Sequence, residues 1–291
     1  MAHLTPGIGN TALSAILNGL AVSGLIPADL QHLTETELRR SFNLNQEQST
    51  ALRKALQAPS REFTEVRHRL RAARVEILTV LDAAYPTQLV RAMAHPPAAL
   101  YLHGNVANVQ APLVAVCNSN RPSAEVALAS RMAIESAVAE GYIPVTGHNR
   151  PEYQSVALAA LRHGYPSCYV LDRGILGYVQ GRNDAPPFKA ARIWPPPIHG
   201  ADVIISPFSP VATGSPGWNL QRDSLIAGLA RIILVGHLRA GGHMQRVLED
   251  AVSSRKPVRW IGPGDRTPDW LPTSNHEETL TEALRNNRSA P

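Results

Sequence analysis

Arginine, serine and glycine recur in short loops between apolar runs in the second half of the chain. Arginine can hold a phosphate with two hydrogen bonds, and glycine lets a ligand approach the backbone closely. Several of these loops lead into predicted helices, whose first backbone N–H groups are unpaired and favour anions. The candidate phosphate-binding residues are Ser119, Asn120, Arg121, Ser123, Gly147, Arg150, Arg222, Arg239, Gly241 and Gly242. This chemistry predicts a phosphorylated or polynucleotide ligand.

These loops also have ordinary structural explanations. Residues 118–123 could form a polar turn in which Ser123 only caps the next helix, since serine is a common N-cap. The run Ala240-Gly241-Gly242 is by itself typical of a plain turn. A single arginine is more often solvated surface than a ligand contact. The hypothesis therefore depends on the convergence of several loops at one place.

Catalytic and metal-binding patterns are missing from the sequence. It contains no G-x-S-x-G nucleophile elbow, no P-loop and no G-x-G-x-x-G fingerprint. His148, His237 and His243 do not have the spacing of a standard metal site. The sequence therefore predicts a binding protein and not an enzyme, with no cofactor and no metal.

Apolar runs alternate with helical patterns after residue 112, which predicts βαβ units and a doubly wound, mostly parallel, Rossmann-like α/β sheet. Ligands bind beyond the carboxyl ends of the strands in such sheets. We therefore expect Arg121, Arg150, Arg222 and Arg239 to lie at one edge. The predicted strands are 113–117, 142–146, 168–171, 202–205, 232–235 and 258–261, and the predicted helices are 123–140, 152–163, 222–230 and 243–253. A Pro-rich stretch at 184–197 is predicted to be a loop.

The first part of the chain has a different pattern. Residues 1–60 predict a small all-helical, SAM-like domain, in which Thr34 and Glu37 have the spacing of a capping box. Residues 61–110 form a bridging segment with a predicted helix at 61–74 and a predicted strand at 99–102. The sheet domain is expected over residues 111–265, and residues 266–291 are expected to be a C-terminal tail.

Composition narrows the class of protein. The chain has 291 residues, of which 44% are hydrophobic, and a net charge of +5. The positive excess lies between residues 61 and 262. This excess favours an anionic partner, although the arginine bias of a GC-rich genome would produce the same excess of positive charge without any function. The sequence shows neither a membrane span nor a secretory signal, and Cys117 and Cys168 lie in apolar runs. We therefore expect a cytoplasmic protein without membrane contact.

Taken in order, these loops resemble motifs of the DprA/Smf family of DNA-processing proteins. The resemblance extends over about residues 4–262 and does not include the C-terminal winged helix that many members carry. Its motifs are Tyr85-Pro86-x-x-Leu89, Pro96-Pro97-x-x-Leu100-Tyr101-x-x-Gly104-Asn105, Cys117-Asn118-Ser119-Asn120-Arg121-Pro122-Ser123 (V-G-S-R-x-x-S in the family), Thr146-Gly147, Arg222-Asp223-Ser224-Leu225-Ile226-Ala227-Gly228-Leu229 (R-N-R-x-I-A-G-L) and Ala240-Gly241-Gly242.

The resemblance implies a homodimeric mediator that binds single-stranded DNA and loads a RecA-type recombinase during uptake of foreign DNA. It implies that Arg121 replaces the family arginine at the position of Asn120. Pro122 is expected to hold Arg121 in an extended conformation. Because Asn118, Asn120 and Ser224 depart from the family motifs, two alternatives stay open. One is a sensor of a small nucleotide-derived ligand in bacterial defence, and the other is a degenerate paralogue with an altered ligand. A nucleoside-phosphate hydrolase of lysine-decarboxylase-like fold ranks last, because its P-G-G-x-G-T loop is absent.

Overall fold

The computed structural model describes residues 2–180, 201–263, 267–271 and 279–288. In these residues the sheet consists of β1 (Glu76–Thr79), β2 (Ala99–Gly104), β3 (Leu113–Val116), β4 (Ile143–Thr146), β5 (Cys168–Val170), β6 (Val203–Ser206), β7 (Ile232–Val235) and β8 (Val258–Trp260). The α-helices are α1 (Asn10–Ser23), α2 (Glu35–Phe42), α3 (Gln46–Gln57), α4 (Arg61–Ala72), α5 (Thr87–Ala92), α6 (Ala124–Ala139), α7 (Pro151–Arg162), α8 (Ile175–Val179), α9 (Trp218–Leu229), α10 (His243–Ser253) and α11 (Leu280–Arg288). The predicted loop at 184–197 lies outside the described residues.

One sheet contains all eight of these strands, in the order β1-β2-β6-β5-β4-β3-β7-β8. The strands from β3 to β8 pair in parallel, and each coincides with a predicted apolar run. The predicted doubly wound, mostly parallel sheet is therefore confirmed.

Helices cover both faces of this sheet. Successive strand residues point to opposite faces, so Val114 and Val116 of β3 join an apolar cluster with residues of α6, α7 and α11. Ala115, between them, joins a second cluster with residues of α5, α9 and α10. Because both faces are covered, every residue of β3 is buried. Burial on both faces explains why the strands appear in the sequence as continuous apolar runs.

The sheet is larger than the sequence indicates, because the bridging segment contributes two strands. The predicted strand at 99–102 lies within β2, which pairs antiparallel with β6 and places Leu102 opposite Ile205. No pattern in the sequence predicts β1, which pairs antiparallel with β2 at the sheet edge. Only Leu78 of its residues is buried, so β1 lacks the apolar pattern that marks a strand. The sheet therefore begins at residue 76 and not near residue 112.

The N-terminal segment is all-helical, as predicted, and has an apolar cluster of its own. The capping box before α2 is present, with the Thr34 backbone N–H donating to the Glu37 carboxylate at 2.7 Å. Leu38 and Phe42 of α2 belong to a cluster with residues of α1 and α3 that also includes Ala99 of β2. The helices thus pack onto the sheet edge. Their independence as a domain, with a boundary near residue 60, stays a prediction.

The C-terminal segment, predicted to be a tail, contains the packed helix α11. Leu284 is fully buried, and the Tyr142 hydroxyl donates to its carbonyl at 2.6 Å. On the surface, Arg285 pairs with Glu140 at 2.9 Å. The helix α11 therefore covers the α6 face of the sheet.

Candidate nucleic-acid interface

The neighbouring parallel strands β3 and β7 are followed by helices on opposite faces of the sheet. The chain enters α6 after β3 and α10 after β7. Such a switch point opens a crevice at the carboxyl ends of the strands, where α/β proteins bind ligands. The Ser119 N–H donates to the His237 carbonyl at 2.9 Å, and the Arg239 N–H donates to Ser119 Oγ at 3.0 Å. Two of the loops predicted from the sequence are therefore tied together at this edge.

Asn118 is buried and holds the base of the crevice together. Its Oδ1 accepts from the backbone N–H groups of Gly236 at 2.8 Å and His237 at 3.0 Å. Its Nδ2 donates to Ser130 Oγ of α6 at 3.0 Å. The asparagine that replaces the family glycine thus joins β3, β7 and α6. Ser119 is also buried, and its hydroxyl is already engaged by the Arg239 backbone.

Arg121 is exposed, but its backbone differs from the predicted extended conformation. Its φ of 59° is in the left-handed region. The Arg121 N–H donates to the Glu152 carboxylate, in the first turn of α7, at 3.0 Å. This contact favours a conformation that Pro122 alone does not predict. The restriction that proline places on its predecessor does hold at Arg150, which precedes Pro151 and is extended.

Asn120 and Ser123 flank Arg121 in the loop that enters α6. Asn120 is exposed at the surface. Ser123 Oγ accepts from the Val126 N–H at 3.3 Å, so the ordinary N-cap interpretation of Ser123 holds. A phosphate contact by either side chain stays a prediction.

The loop after β4 places Arg150 beside the same crevice. Arg150 Nη1 lies 3.8 Å from Asp223 Oδ2, and its side chain keeps 22% exposure. Its guanidinium carbon lies 5.5 Å from the centre of the Tyr153 ring. Gly147 is buried, and a Cβ atom there would lie 2.5 Å from the Tyr153 ring. Gly147 is therefore needed for the close packing of Tyr153 and does not lie open to a ligand.

The loop after β7 contains the remaining predicted residues. Arg239 and Gly241 are exposed, and Gly241 has a φ of 67°, which favours glycine. The Gly241 N–H donates to Gln245 Oε1 at 2.8 Å. Gly242 is the N-cap of α10, and its N–H donates to the Arg239 carbonyl at 3.0 Å. This loop is a tight turn that presents Arg239 at the mouth of the crevice.

Arg222 is not on the rim of the crevice, where the sequence analysis places it. Its side chain is completely buried, with Nε 2.8 Å from Asp223 Oδ1 and Nη1 3.4 Å from Asp172 Oδ2. Nη1 also donates to Asn149 Oδ1 at 2.7 Å. A buried guanidinium must be paired, and here two carboxylates pair it. Arg222 therefore connects α9 to the loop after β4, through Asn149, and to the loop after β5, through Asp172, in the interior of the protein.

Asp223 is the centre of a buried polar network that the sequence analysis misses. Its carboxylate accepts from the Tyr153 hydroxyl at 2.6 Å, from Arg222 Nε at 2.8 Å and from His243 Nε2 at 2.9 Å. His243 keeps 37% exposure and begins α10. Arg222 is a candidate from the sequence, and Asp172 has a recognisable signal as a carboxylate just after the apolar run of β5, whereas Tyr153 and Asp223 have none. The network fixes the positions of the loops that present Arg150 and Arg239.

The protonation states in this network follow from its surroundings. Burial, reinforced by the charge of Asp223, raises the pKa of Tyr153 well above its usual value, so the hydroxyl stays protonated and donates. Burial also raises the pKa of Asp223, but the hydrogen bond from His243 and the charge of Arg222 outweigh it. The pKa of Asp223 therefore lies below its usual value, and the group is a carboxylate at neutral pH.

His148, beneath the same loops, is expected to make the fold sensitive to acid. It is buried, with Nε2 3.8 Å from Asp172 Oδ1, and burial lowers its pKa to about 4 although Asp172 acts in the opposite direction. An unfolded histidine has a pKa of about 6.5, so the unfolded chain binds more protons between these values and stability falls as the pH drops. The free energy of unfolding of the unaltered protein should therefore fall between about pH 7.5 and about pH 5. In His148→Gln we expect this fall to be smaller by about 1–2 kcal/mol. Urea unfolding at both pH values measures this effect.

The matched control is His163→Gln, at the exposed end of α7. It should leave the pH dependence of the urea midpoint as it is in the unaltered protein. An unchanged acid dependence in His148→Gln would show that another group causes the effect.

Three of the four predicted arginines thus reach the surface at the carboxyl edge, and Arg222 supports them from beneath. Exposed guanidinium groups on adjoining loops suit phosphates along a strand of nucleic acid. Among the described residues, no group of three or more His, Cys, Asp or Glu side chains is placed to hold a metal ion. In the same part of the chain, no helix is long and apolar enough to cross a membrane.

Comparisons with known proteins agree with this architecture. No curated protein sequence matches the chain. The structure is similar to that of DNA processing protein A from Streptococcus pneumoniae, with a TM-score of 0.69 and 18% identity over 89% of this chain and 84% of that one. It also resembles DNA processing protein A from Helicobacter pylori, a protein described as having a unique single-stranded DNA binding mode. That match has a TM-score of 0.53 and 16% identity over 67% of this chain and 84% of the other.

The sequence model of one protein family matches residues 76–269, which extend from β1 to beyond β8. The match therefore includes the bridging segment as well as the parallel strands. The chain belongs to the DNA recombination-mediator protein A family.

Proposed function

We propose that this protein binds single-stranded DNA at the carboxyl edge of its sheet, and that it acts in DNA processing and recombination. One observation carries the proposal: Arg121, Arg150 and Arg239 lie on loops that follow adjacent strands and converge on one crevice. The carboxylates below them, Asp172 and Asp223, are both paired with Arg222, and Asp172 is also paired with Arg173 at 3.2 Å. Their negative charge is therefore largely compensated, and an approaching phosphate meets the arginines.

The contacts proposed here are to the DNA backbone. Arginines that hold phosphates position the nucleic acid but do not read its sequence. An aromatic pair lies at the same edge, where Trp218 at the start of α9 stacks on Phe208 after β6 with ring centres 4.2 Å apart. Trp218 is only partly buried, and aromatic rings of this kind are platforms for unpaired bases. We therefore expect unpaired strands to be preferred over duplexes, with little sequence preference.

The family also supports two proposals about assembly. One is that the protein acts as a homodimer, since a tract of DNA longer than one crevice needs more than one set of loops. The other is that it passes its DNA to a RecA-type recombinase. Light scattering at micromolar concentration tests the dimer, and a strictly monomeric mass would contradict it.

A binding titration tests the main proposal. Labelled oligothymidine, a duplex of equal length and a panel of nucleotides are each titrated at several salt concentrations. We expect oligothymidine to bind most tightly, and the logarithm of its binding constant to fall by roughly 0.7 per phosphate contact for each tenfold increase in salt. Three arginine contacts would thus give a slope of about −2.

Two outcomes would contradict the proposal. If no oligonucleotide binds at low salt, the edge is not a nucleic-acid site. If a mononucleotide binds more tightly than oligothymidine with almost no salt dependence, the protein is a sensor of a small nucleotide-derived ligand.

A further inference from the structure

A second basic site lies at the opposite edge of the sheet. Arg231 immediately precedes β7, Arg255 and Lys256 precede β8, and Gln110 precedes β3. These residues and Arg91 of α5 line a cleft of about 460 Å³. Because β3, β7 and β8 are parallel, this cleft is at their amino ends. It faces away from the crevice described above.

The lining of this amino-edge cleft carries four cations and no carboxylate. The cations are Arg91, Arg231, Arg255 and Lys256, and the other lining residues are uncharged. In the described parts of the chain, no carboxylate forms an ion pair with any of the four. A cluster of one sign raises the local concentration of ions of the other sign. The cleft is therefore suited to an anion.

Two of these cations are held in place from behind. Lys256 Nζ donates to the carbonyls of Gly228 at 2.6 Å and Ala230 at 2.7 Å, at the end of α9. Arg231 Nη1 donates to the Arg288 carbonyl of α11 at 2.8 Å. Burial and the charge of Arg231 lower the pKa of Lys256 to about 8. The fold thus keeps two like charges close together, and a bound anion would relieve their repulsion.

The other two cations are free to move onto a ligand. Arg91 and Arg255 are both exposed at this cleft. Arg255 has a φ of 58°, at the end of α10, where glycine or asparagine is usual. The lining also includes the neutral hydrogen-bonding side chains of Thr87, Gln88 and Asn287. A charged wall beside neutral polar groups matches a ligand with a phosphate chain and a polar body.

We propose that the amino-edge cleft binds a nucleoside polyphosphate, with its phosphates at Arg91, Arg231 and Arg255. The volume of the cleft is in the range of small-ligand sites, about 300–1,000 Å³. Four cations match the charge of a triphosphate. A continuous DNA strand fits this location less well, because it would have to pass around the sheet to reach both edges. The site is independent of the proposed DNA interface.

Calorimetric titration of the full chain with inorganic tripolyphosphate and with ATP tests this proposal. The variants are Arg91→Gln, Arg231→Gln and Arg255→Gln, and the control is Arg40→Gln, on the exposed side of α2. We expect both probes to bind the unaltered protein and the control equally. Each cleft variant should bind them roughly 10- to 100-fold more weakly, as for loss of one charge-assisted hydrogen bond. Arg91 and Arg255 are exposed, so their variants should keep the urea midpoint of the unaltered protein.

Titrating the same variants with oligothymidine separates this site from the DNA interface. Retained oligothymidine binding together with lost polyphosphate binding supports an independent site. An equal loss of both would make the cleft a nucleic-acid contact and overturn the proposal. It would also be overturned if neither probe binds, or if Arg255→Gln and Arg91→Gln bind the probes as tightly as the control.

Discussion

Replacement of Asp223 by alanine should lower the free energy of unfolding by about 3–5 kcal/mol, the range for breaking a buried ion pair on one side. The Asp223 carboxylate is fully buried and accepts hydrogen bonds from Tyr153, Arg222 and His243. Without it, the Tyr153 hydroxyl loses its acceptor, and Arg222 keeps the neutral Asn149 at 2.7 Å and the more distant carboxylate of Asp172 at 3.4 Å. Urea unfolding of the purified variant measures the loss.

The control for this variant is an ion pair on the surface. Glu140 pairs with Arg285, whose side chain is 65% exposed. Exposed pairs contribute little because water screens them, so Glu140→Ala should leave the urea midpoint almost unchanged. Asp223→Asn retains an acceptor for Tyr153 but loses the charge, and it should fall between the two. Equal midpoints for Asp223→Ala and Glu140→Ala would mean that the buried network does not stabilise the fold.

The second large effect is expected on DNA binding. The double variant Arg121→Ala, Arg239→Ala should weaken binding of oligothymidine by at least about 100-fold at moderate salt. Each arginine is expected to contribute a charge-assisted hydrogen bond, of about 1.5–3 kcal/mol, to a phosphate, and each 1.4 kcal/mol is a factor of about ten in affinity. The magnitude of the salt slope should fall by roughly 0.7 for each contact that is removed. The loss should be the same for every base composition, because the contacts are to backbone.

Two comparisons make this result interpretable. Arg285→Ala removes an exposed arginine of α11 and should change DNA affinity little. Arg222→Ala, by contrast, should fail through loss of folding, because the Arg222 side chain is completely buried. Unaltered affinity and an unaltered salt slope in the double variant would show that the crevice is not the DNA interface. Family membership would then describe the ancestry of this chain and not its activity.

Local patterns in the sequence are sufficient for most of the secondary structure. The periodicity of the sequence predicts one helix over residues 46–57 and another over residues 243–253, and the structure has both with these bounds. Each has an amphipathic repeat and a clear N-terminal signal within a few residues. The strands from β3 to β8 are also predicted, because strands buried on both faces are continuous apolar runs. The edge strand β1 has no such run, and only its pairing with β2 makes it a strand.

The candidate site likewise has features that the sequence predicts and features that depend on the packing of distant elements. The sequence alone predicts that arginine-bearing loops follow the parallel strands, and strand direction then places those loops at one edge. Packing of the folded chain buries Arg222 between Asp172 and Asp223, while Arg121, Arg150 and Arg239 reach the surface, and no local pattern distinguishes the two outcomes. The left-handed backbone of Arg121 likewise depends on Glu152, in another element.

The physical reason is the range of the interactions involved. Hydrophobic periodicity and helix capping act between residues a few positions apart, so a single sequence displays them. Burial and pairing of a charged side chain depend on elements that packing brings together from distant parts of the chain. The Asp223 network joins three helices in this way, α7 through Tyr153, α9 through Arg222 and α10 through His243. The amino-edge cleft joins Arg91, Arg231 and Arg255, which no local pattern relates to one another.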